Sequence, residues 1–351
     1  MNRRAHRIGT IALLVLALVA GMTATVAAKD KRDLTVMTQN LYVGASLAPV
    51  SAATTPFEFI LAVATVYSEV QFTDFPARAD AIAAEIEANE PDVIALQEVT
   101  TWTSTGPGAP PSLDFLAILQ QDLAGRGLSY SVASTSNNAN VGPVPLLLCT
   151  GALGSCLLTL QDHDVILVNG SNPSLHTFHP QNGRYIAQQV QTTPAGPLSF
   201  NRGWASIDGT LDGKAFRFVT THLEIEQSLA IQEAQGREFL DGPAKTGGAV
   251  IAAGDFNSAA DGSTTATYAN LTRAYFRDAW DTNPGDPGYS CCQIDTLTNP
   301  VSAYTSRIDL VLTHGASRAL DAKLIGNVPF QATAPLWPSD HAGVVATVRI
   351  Q

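Results

Sequence analysis

The sequence predicts an α/β fold in one domain that spans residues 29–351. Short apolar, β-rich stretches alternate with stretches of helical periodicity along the chain, which is typical of mixed α/β proteins. The glycine fingerprint of dinucleotide-binding folds is missing, and no linker divides the sequence. With 45% hydrophobic and 15% charged residues, the 351-residue chain can bury a large core.

The first 28 residues have the features of a signal peptide rather than of the fold. Arg3, Arg4 and Arg7 form a basic start, an apolar run covers Ile11–Ala20, and small residues follow at Val26–Ala28. The alternative is an uncleaved membrane anchor, but this apolar run is short for a spanning helix. We therefore expect cleavage near residue 28 and a secreted, extracellular protein exported by a bacterial-type route.

Periodicity and chain breakers predict the elements of the first half. In order, these are a strand at Leu34–Met37, a helix or lid at Pro56–Val70, an amphipathic helix at Arg78–Ala88, a buried strand at Val93–Leu96, a helix at Leu113–Leu123 and a strand at Tyr130–Ala133. The Arg78–Ala88 helix has apolar residues at positions 79, 82, 83 and 86, and Pro91 ends it. Turn-forming residues predict a loop at Thr101–Pro111 and a polar, mobile segment at Ser134–Gly142.

The second half continues the alternation. It contains a strand at Asp164–Val168, a hairpin of Phe200–Ile207 and Phe216–Thr221 that turns through Leu211–Lys214, a helix at Leu229–Leu240, a buried strand at Val250–Ala253, and late strands at Ile308–Leu312 and Val344–Ile350. The turn of the hairpin is indicated by an Asp-Gly pair between two β-rich runs.

The segment Val144–Leu160 holds two leucine clusters around Cys149 and Cys156. One interpretation is a loop packed on the core and closed by a disulfide; the other is an exposed hairpin that touches lipid or a bulky substrate. Export favours disulfides, and four Cys allow three pairings. We expect Cys149 to pair with Cys156. Adjacent Cys291 and Cys292 could bond only in a strained ring, so cross-links between the two pairs are the competing option.

The formal net charge of −11 becomes more negative once the basic start is removed. We therefore expect no broad basic surface for a nucleic-acid backbone, and no cluster of Lys and Arg stands out in the sequence. Negative charge does not exclude an enzyme that meets phosphate only at a bound metal.

Short polar boxes follow five apolar stretches, where strands should end. They are Gln39-Asn40, Gln97-Glu98, Thr221-His222, Gly254-Asp255-Phe256-Asn257 and Ser339-Asp340-His341. Their positions predict a single site at the edge of a sheet. Carboxylates and carboxamides with two His and no Cys are donors for a hard cation such as Mg²⁺ that handles phosphate oxygens.

Three of the five boxes also have a purely structural interpretation. Glu98 could cap a turn, His222 could be a hydrogen-bonded structural residue, and Asp255 with Asn257 could form an Asx turn. Against the last reading, Asp255 and Asn257 are two residues apart, so an extended segment would point both to one side.

A further acidic residue, Asp309, lies within the predicted strand Ile308–Leu312, whose other residues are apolar. Burying this carboxylate without a partner would be costly, and His341 is the candidate partner. Such a pair holds the imidazole in one tautomer and stabilises its protonated form.

Six segments in this order resemble the endonuclease/exonuclease/phosphatase superfamily, which has the DNase I-like fold. They are Thr38–Asn40, Leu96–Val99, Thr221–Leu223, Gly254–Asn257, Arg307–Asp309 and Ser339–His341. The resemblance covers nearly the whole mature chain. It implies a four-layer sandwich of two packed mixed β-sheets flanked by helices, and a divalent-metal phosphoesterase that activates water for in-line attack on phosphorus.

The resemblance also implies the residues around the metal, which would be Mg²⁺, or alternatively Mn²⁺ or Ca²⁺. Glu98 would be its principal ligand, with Asn40 and Asp340 nearby. Arg202 and Asp164 lie at strand positions where relatives carry site residues, so they are implied as substrate-binding residues.

The catalytic residues follow from the same resemblance. Asp255 would orient or deprotonate the attacking water, and Asn257 would contact the phosphate or the metal. Asp309 would orient His341, and His222 and His341 would be the two imidazoles that face the phosphate.

The substrate class stays open, because this fold and site serve many phosphoesters. Nucleic acid, a small phosphoester and a phospholipid head group are the candidates; we place the first two ahead of lipid. The alternative is a sphingomyelinase-like phospholipid hydrolase, which export and the Val144–Leu160 segment favour. A catalytically inactive binding module on the same fold would be expected to have lost some of the box residues. No stable protein partner is implied, and we expect a monomer.

Overall fold

The computed structural model describes residues 32–150, 152 and 154–351, so the predicted signal peptide at 1–28 lies outside the described residues. The described residues form these strands: β1 (Asp33–Asn40), β2 (Val93–Gln97), β3 (Thr101–Thr105), β4 (Leu113–Asp114), β5 (Tyr130–Pro145), β6 (Leu157–Asn169), β7 (Leu175–Arg184), β8 (Gln189–Thr193), β9 (Gly196–Phe200), β10 (Gly203–Leu211), β11 (Lys214–His222), β12 (Ala249–Asp255), β13 (Arg277–Asp278), β14 (Asp309–His314), β15 (Ser317–Ile325) and β16 (Gly343–Ile350).

The strands form two large sheets and one hairpin. The first sheet has the order β15-β16-β1-β2-β6-β3-β4, with β5 also paired to β6. The second has the order β13-β14-β12-β11-β10-β7, and β8 pairs only with β9 among the described strands. Both large sheets are mixed, because β1 runs parallel to β2 and β11 parallel to β12, whereas β1–β16 and β12–β14 are antiparallel.

Helices cover the outer faces of both sheets. They are α1 (Ala48–Ala52), α2 (Pro56–Phe72), α3 (Phe75–Asn89), α4 (Phe115–Gly125), α5 (Leu229–Asp241) and α6 (Thr267–Arg273), with 3₁₀ turns at Glu226–Ser228 and Ala279–Thr282. A capping box starts α2, since the Thr55 hydroxyl accepts from the Glu58 amide and the Glu58 carboxylate accepts from the Thr55 amide. Within the described chain, no helix has the length and apolar character that crossing a membrane requires.

Strand alternation produces the layers. In β2, Val93 and Ala95 belong to the core between the sheets, whereas Ile94 and Leu96 belong to the core under α2, α3 and α4. A third core, which contains Phe239 of α5, lies on the outer face of the second sheet. The layers are therefore helices, sheet, sheet and helices, which confirms the predicted four-layer sandwich.

Of two segments predicted as loops, the first is a strand in its first five residues and the second is a strand throughout. The predicted loop Thr101–Pro111 contains β3, and the predicted mobile segment Ser134–Gly142 lies inside β5. Both strands pair with the long β6, a contact between distant residues that local turn propensity does not report. The polar side chains of Ser136 and Asn138 are buried, so these polar residues belong to the interior of the protein and not to a solvent-exposed turn.

Some element boundaries also shift. Helix α4 starts at Phe115 rather than Leu113, because the Asp114 carboxylate caps it by accepting from the Ala117 amide at 3.0 Å. The hairpin strand β10 starts at Gly203, and Phe200 ends β9.

The Val144–Leu160 segment packs largely against the core, as in the first of its two interpretations. Leu146, Leu158 and Leu160 are buried, and the structure joins Cys149 to Cys156. The other two cysteines, Cys291 and Cys292, are bonded to each other, so the competing cross-links between the pairs are not formed.

Candidate active site

The ends of several central strands meet at one edge of the sandwich. Asn40 and Gln97 are register partners at the ends of the parallel strands β1 and β2. His222 and Asp255 are partners at the ends of the parallel strands β11 and β12, and Asp255 also pairs with Asp309 at the start of β14. The polar boxes therefore collect at this edge because parallel strands finish on the same side.

Hydrogen bonds join the two sheets at this edge. Asn40 Nδ2 donates to Asp255 Oδ2 at 3.2 Å, and Gln97 Nε2 donates to Thr220 Oγ1 at 3.0 Å. The last box is attached to the first, because Ser339 Oγ donates to the Asn40 carbonyl oxygen at 2.7 Å. Residues distant in sequence thus surround one cleft.

Asp255 lies between the two imidazoles of the site. Its Oδ2 is 3.4 Å from His222 Nε2 and 3.9 Å from His341 Nε2. Burial, assisted by repulsion from Asp309, raises the pKa of Asp255 to about 7. This carboxylate can therefore exchange a proton close to neutral pH.

The expectation that Asp255 and Asn257 lie on one extended segment is wrong. Strand β12 ends at Asp255, and Asn257 has a φ of 45°, in the left-handed region. The Asn257 amide donates to Asp255 Oδ1 at 2.9 Å, which is the Asx turn named as the alternative. Asn257 Nδ2 donates to the Leu223 carbonyl at 2.9 Å, so its side-chain oxygen is the atom left to contact a ligand.

The two imidazoles differ in protonation. His341 Nδ1 is 2.8 Å from Asp309 Oδ2, which also accepts from Ser290 Oγ at 2.7 Å. Burial alone would lower the pKa of His341, but Asp309 and Asp340 raise it well above its usual value. Burial and the nearby Arg202 charge lower the pKa of His222 well below its usual value. A cationic and a neutral imidazole therefore flank Asp255.

Two further carboxylates, of Glu98 and Asp340, belong to the site, and Asp340 Oδ1 is 4.0 Å from His341 Nε2. Glu98 follows β2 with a φ of 54°, and its Oε2 accepts from the Val43 amide at 2.7 Å, which leaves Oε1 available. Burial and repulsion from Asp162 raise the pKa of Glu98. Burial and repulsion from Glu98, opposed by attraction to His341, raise the pKa of Asp340 to about 7. Such excess negative charge is the environment that a divalent cation would stabilise.

Two tighter groups of donor atoms exist among the described residues, each within 4.8 Å: Asp255, Asp309 and His341, and Cys291, Cys292 and His341. In the first, Asp309 Oδ2 is already shared by His341 and Ser290, Asp309 Oδ1 has no partner within the described part of the chain, and the raised pKa of His341 keeps its imidazole protonated, which disfavours it as a ligand. In the second, the two sulfurs are bonded to each other. The available carboxylates of Glu98 and Asp340 therefore fit a hard cation better than either group.

Arg202 and Asp164 differ in position and charge. Arg202 Nη2 is 3.6 Å from Glu224 Oε1. Burial opposes its charge, but Glu224 and Asp162 keep its pKa above the usual value. Asp164 is fully buried in β6, and burial with repulsion from Asp162 raises its pKa well above the usual value, so it is a neutral acid behind the cleft.

Sequence reasoning missed Asp162, which accepts from Thr100 Oγ1 at 3.2 Å beside Glu98. The sequence does contain a signal for Asp162. Buried residues recur at every second position of β6, and the apolar residues at 158 and 160 are followed at this spacing by acidic residues at 162 and 164.

Arg78 was also missed. Its buried guanidinium donates to the carbonyls of Leu41, Tyr42, Thr73 and Pro338 at 2.6–3.2 Å. It thereby fixes the chain after Asn40 and before Ser339. The sequence signal for Arg78 was its position as a charged residue on the apolar face of α3.

The bonded Cys291–Cys292 pair also lies beside the cleft. Cys292 Sγ is 3.7 Å from His341 Nε2, and the next amide, of Gln293, donates to the Asp340 carbonyl at 2.9 Å. This pair therefore contributes to one wall of the site.

Comparison with known structures gives the same architecture. A Beutenbergia cavernae endonuclease/exonuclease/phosphatase has 21% identity and a TM-score of 0.55, over 91% of this chain and 72% of that one. A Leptotrichia buccalis family protein has 15% identity and a TM-score of 0.57, over 90% and 100%. D. rerio TDP2 complexed with a single strand DNA product has 16% identity and a TM-score of 0.54, over 90% and 99%. At these identities the likeness shows the fold.

The sequence itself was compared with curated proteins and with protein families. A search of curated proteins found no significant match. The profile of the Endonuclease/Exonuclease/phosphatase family matches residues 37–341, which include every box from Asn40 to His341. The chain therefore belongs to the endonuclease/exonuclease/phosphatase family.

Proposed function

We propose that this chain is a secreted phosphoesterase that uses a divalent cation to hydrolyse a phosphodiester or phosphomonoester by in-line attack of water. The observation that carries the proposal is the position of Asp255 between His222 and the Asp309-bound His341, with Asp340 also beside His341 and Glu98 near Asp340. Family membership supports phosphoester hydrolysis, and the DNA product in the TDP2 neighbour supports a phosphoester substrate. The basic and apolar N-terminal sequence supports export.

Glu98, with Asn40 and Asp340, would hold the cation. When bound, Mg²⁺, Mn²⁺ or Ca²⁺ would polarise the phosphoryl oxygens and offset the charge that develops on them. Asn40 Nδ2 already donates to Asp255, which links the ligand group to the proposed water-binding carboxylate.

The side chains of the protein have complementary tasks. Asp255, with its pKa of about 7, orients the water and accepts its proton. His341 presents a positive charge to the phosphoryl oxygens, and Asp309 fixes the orientation of its ring through Nδ1. His222 offers a neutral imidazole on the other side of Asp255, and Asn257 offers its side-chain oxygen to the metal or the water.

Metal removal is the direct test. We expect EDTA-treated protein to lose hydrolysis of bis-p-nitrophenyl phosphate by at least about 10²-fold, and Mg²⁺ or Mn²⁺ to restore it, because the cation offsets developing negative charge. An Asp255→Asn protein prepared in parallel reports any contaminating hydrolase. Full activity in EDTA would refute the metal dependence.

A substrate panel separates the enzyme from an inactive binding module. The panel contains plasmid DNA, RNA, sphingomyelin and inositol phosphates, each with Mg²⁺. If the protein hydrolyses none of these esters and does not hydrolyse bis-p-nitrophenyl phosphate, the binding module is favoured.

A further inference from the structure

An apolar cavity lies between α1, α2, β3, β5, β6 and the β8–β9 hairpin. Its cavity volume is about 50 Å³, within a depression of about 540 Å³ that protein atoms do not fill and that includes open solvent. Its walls are formed mainly by aliphatic and aromatic side chains, among them Val50, Val63, Trp102, Val144, Leu160 and Leu198. This lining is suited to an apolar group.

The cavity lies next to the candidate active site along β6. Leu158 and Leu160 line the cavity, and the buried Asp162 and Asp164 follow them along β6 at the same spacing of two residues. A strand rises about 3.3 Å per residue, so Leu160 and Asp162 are about 7 Å apart along it. The apolar wall and the acidic residues are therefore neighbours along β6.

A second connection runs through Val43. Its carbonyl accepts from Trp102 Nε1 at 3.0 Å, and its amide donates to Glu98 Oε2 at 2.7 Å. One residue thus separates the indole of the cavity wall from the proposed metal ligand. On another wall, Phe200 lines the cavity and Arg202 borders the cleft two residues later.

The polar groups of the lining do not suit a nucleobase. Ser51 and Gln191 supply polar atoms, and Gln191 Nε2 donates to the Ser51 carbonyl oxygen at 2.9 Å. A buried base would find only these two residues of the described lining as partners for its ring nitrogens and exocyclic groups, and each polar group left unpaired is costly. An alkyl chain has no such requirement.

We propose that this cavity, the apolar subsite, binds an alkyl chain of the substrate, so the preferred substrate is a phosphoester that carries an aliphatic group. The inference rests on the proposed phosphoesterase function and names its substrate class. It reverses the order suggested by the sequence, which placed nucleic acid and small phosphoesters ahead of lipid.

A homologous series of alkyl p-nitrophenyl phosphates, from methyl to octyl and below the micelle concentration, tests the subsite. We expect kcat/KM to rise with chain length, by up to about fourfold per methylene in the shorter members, because each methylene leaves water. Hydrolysis of the methyl ester with no rise along the series would overturn the subsite and leave the proposed function intact. Preferred cleavage of DNA over every alkyl ester would also overturn it.

Two variants of the same hairpin sharpen the test. Leu198 lines the cavity opposite Gln191, whereas Val190 is exposed on β8. Leu198→Trp should abolish the rise with chain length, and Val190→Trp should keep it, with folding of both checked by thermal melting. Equal chain-length profiles in the two variants would contradict the assignment.

If no ester is hydrolysed, the proposed function is refuted, but the apolar subsite can still be tested by binding measurements. Calorimetry should then show octyl phosphate binding at least about tenfold more tightly than methyl phosphate. Equal binding of the two phosphates would overturn the subsite independently of catalysis.

Discussion

We expect His341→Asn to lower kcat for bis-p-nitrophenyl phosphate by about 10³-fold, equivalent to about 4 kcal/mol, with little change in KM. The cause is the loss of a cationic imidazole whose Nδ1 is 2.8 Å from Asp309 and whose Nε2 is 3.9 Å from Asp255. Asparagine keeps a polar side chain but cannot carry the charge. Steady-state kinetics at saturating Mg²⁺ measures the effect.

Two companion variants separate charge from fold. His176 is exposed on β7, so His176→Asn should retain the wild-type kcat. Asp309→Asn removes the carboxylate that raises the pKa of His341, so its imidazolium is lost at lower pH. Activity of this variant should therefore decline from a lower pH than that of the wild type. An unchanged kcat in His341→Asn would refute the role of this residue.

The second large effect is expected for Glu98→Gln. The substitution keeps an oxygen for the Val43 amide and removes the negative charge that faces the proposed cation. We expect kcat/KM at fixed millimolar Mg²⁺ to fall by about 10³-fold, because Mg²⁺ relies on one or two carboxylates for binding. The Mg²⁺ concentration for half-maximal activity should rise by at least about tenfold.

Glu87→Gln is the matched control for this variant. Glu87 is exposed near the end of α3 and pairs with Arg126, at the opposite end of β2 from Glu98. Its Mg²⁺ dependence should equal that of the wild type. If Glu98→Gln also shows the wild-type Mg²⁺ dependence, the assignment of the metal ligand is wrong.

The strand framework could be predicted because its signal is local. Apolar stretches such as Val93–Leu96 and Val250–Ala253 are buried on both faces, and their ends carry Glu98 and Asp255. The need of buried Asp309 for a partner also pointed to His341, now 2.8 Å away. Each inference used only neighbouring residues and the cost of burying charge.

What the sequence did not predict depends on distant contacts. The role of Asp162 depends on its proximity to Glu98, which follows another strand. The role of Arg78 depends on four carbonyls in separate segments. The turn at Asn257 depends on a backbone angle that the spacing of Asp255 and Asn257 does not reveal. The apolar subsite requires the β8–β9 hairpin to lie beside α1, where Gln191 reaches Ser51.

The location of the cation tests the central claim most directly. Anomalous diffraction from crystals soaked in Mn²⁺ should show a peak at bonding distance from Glu98, with Asp340 or Asn40 beside it. A peak bound instead by Asp255, Asp309 and His341, or no peak near Glu98 in protein that hydrolyses phosphoesters with Mn²⁺, would contradict the account.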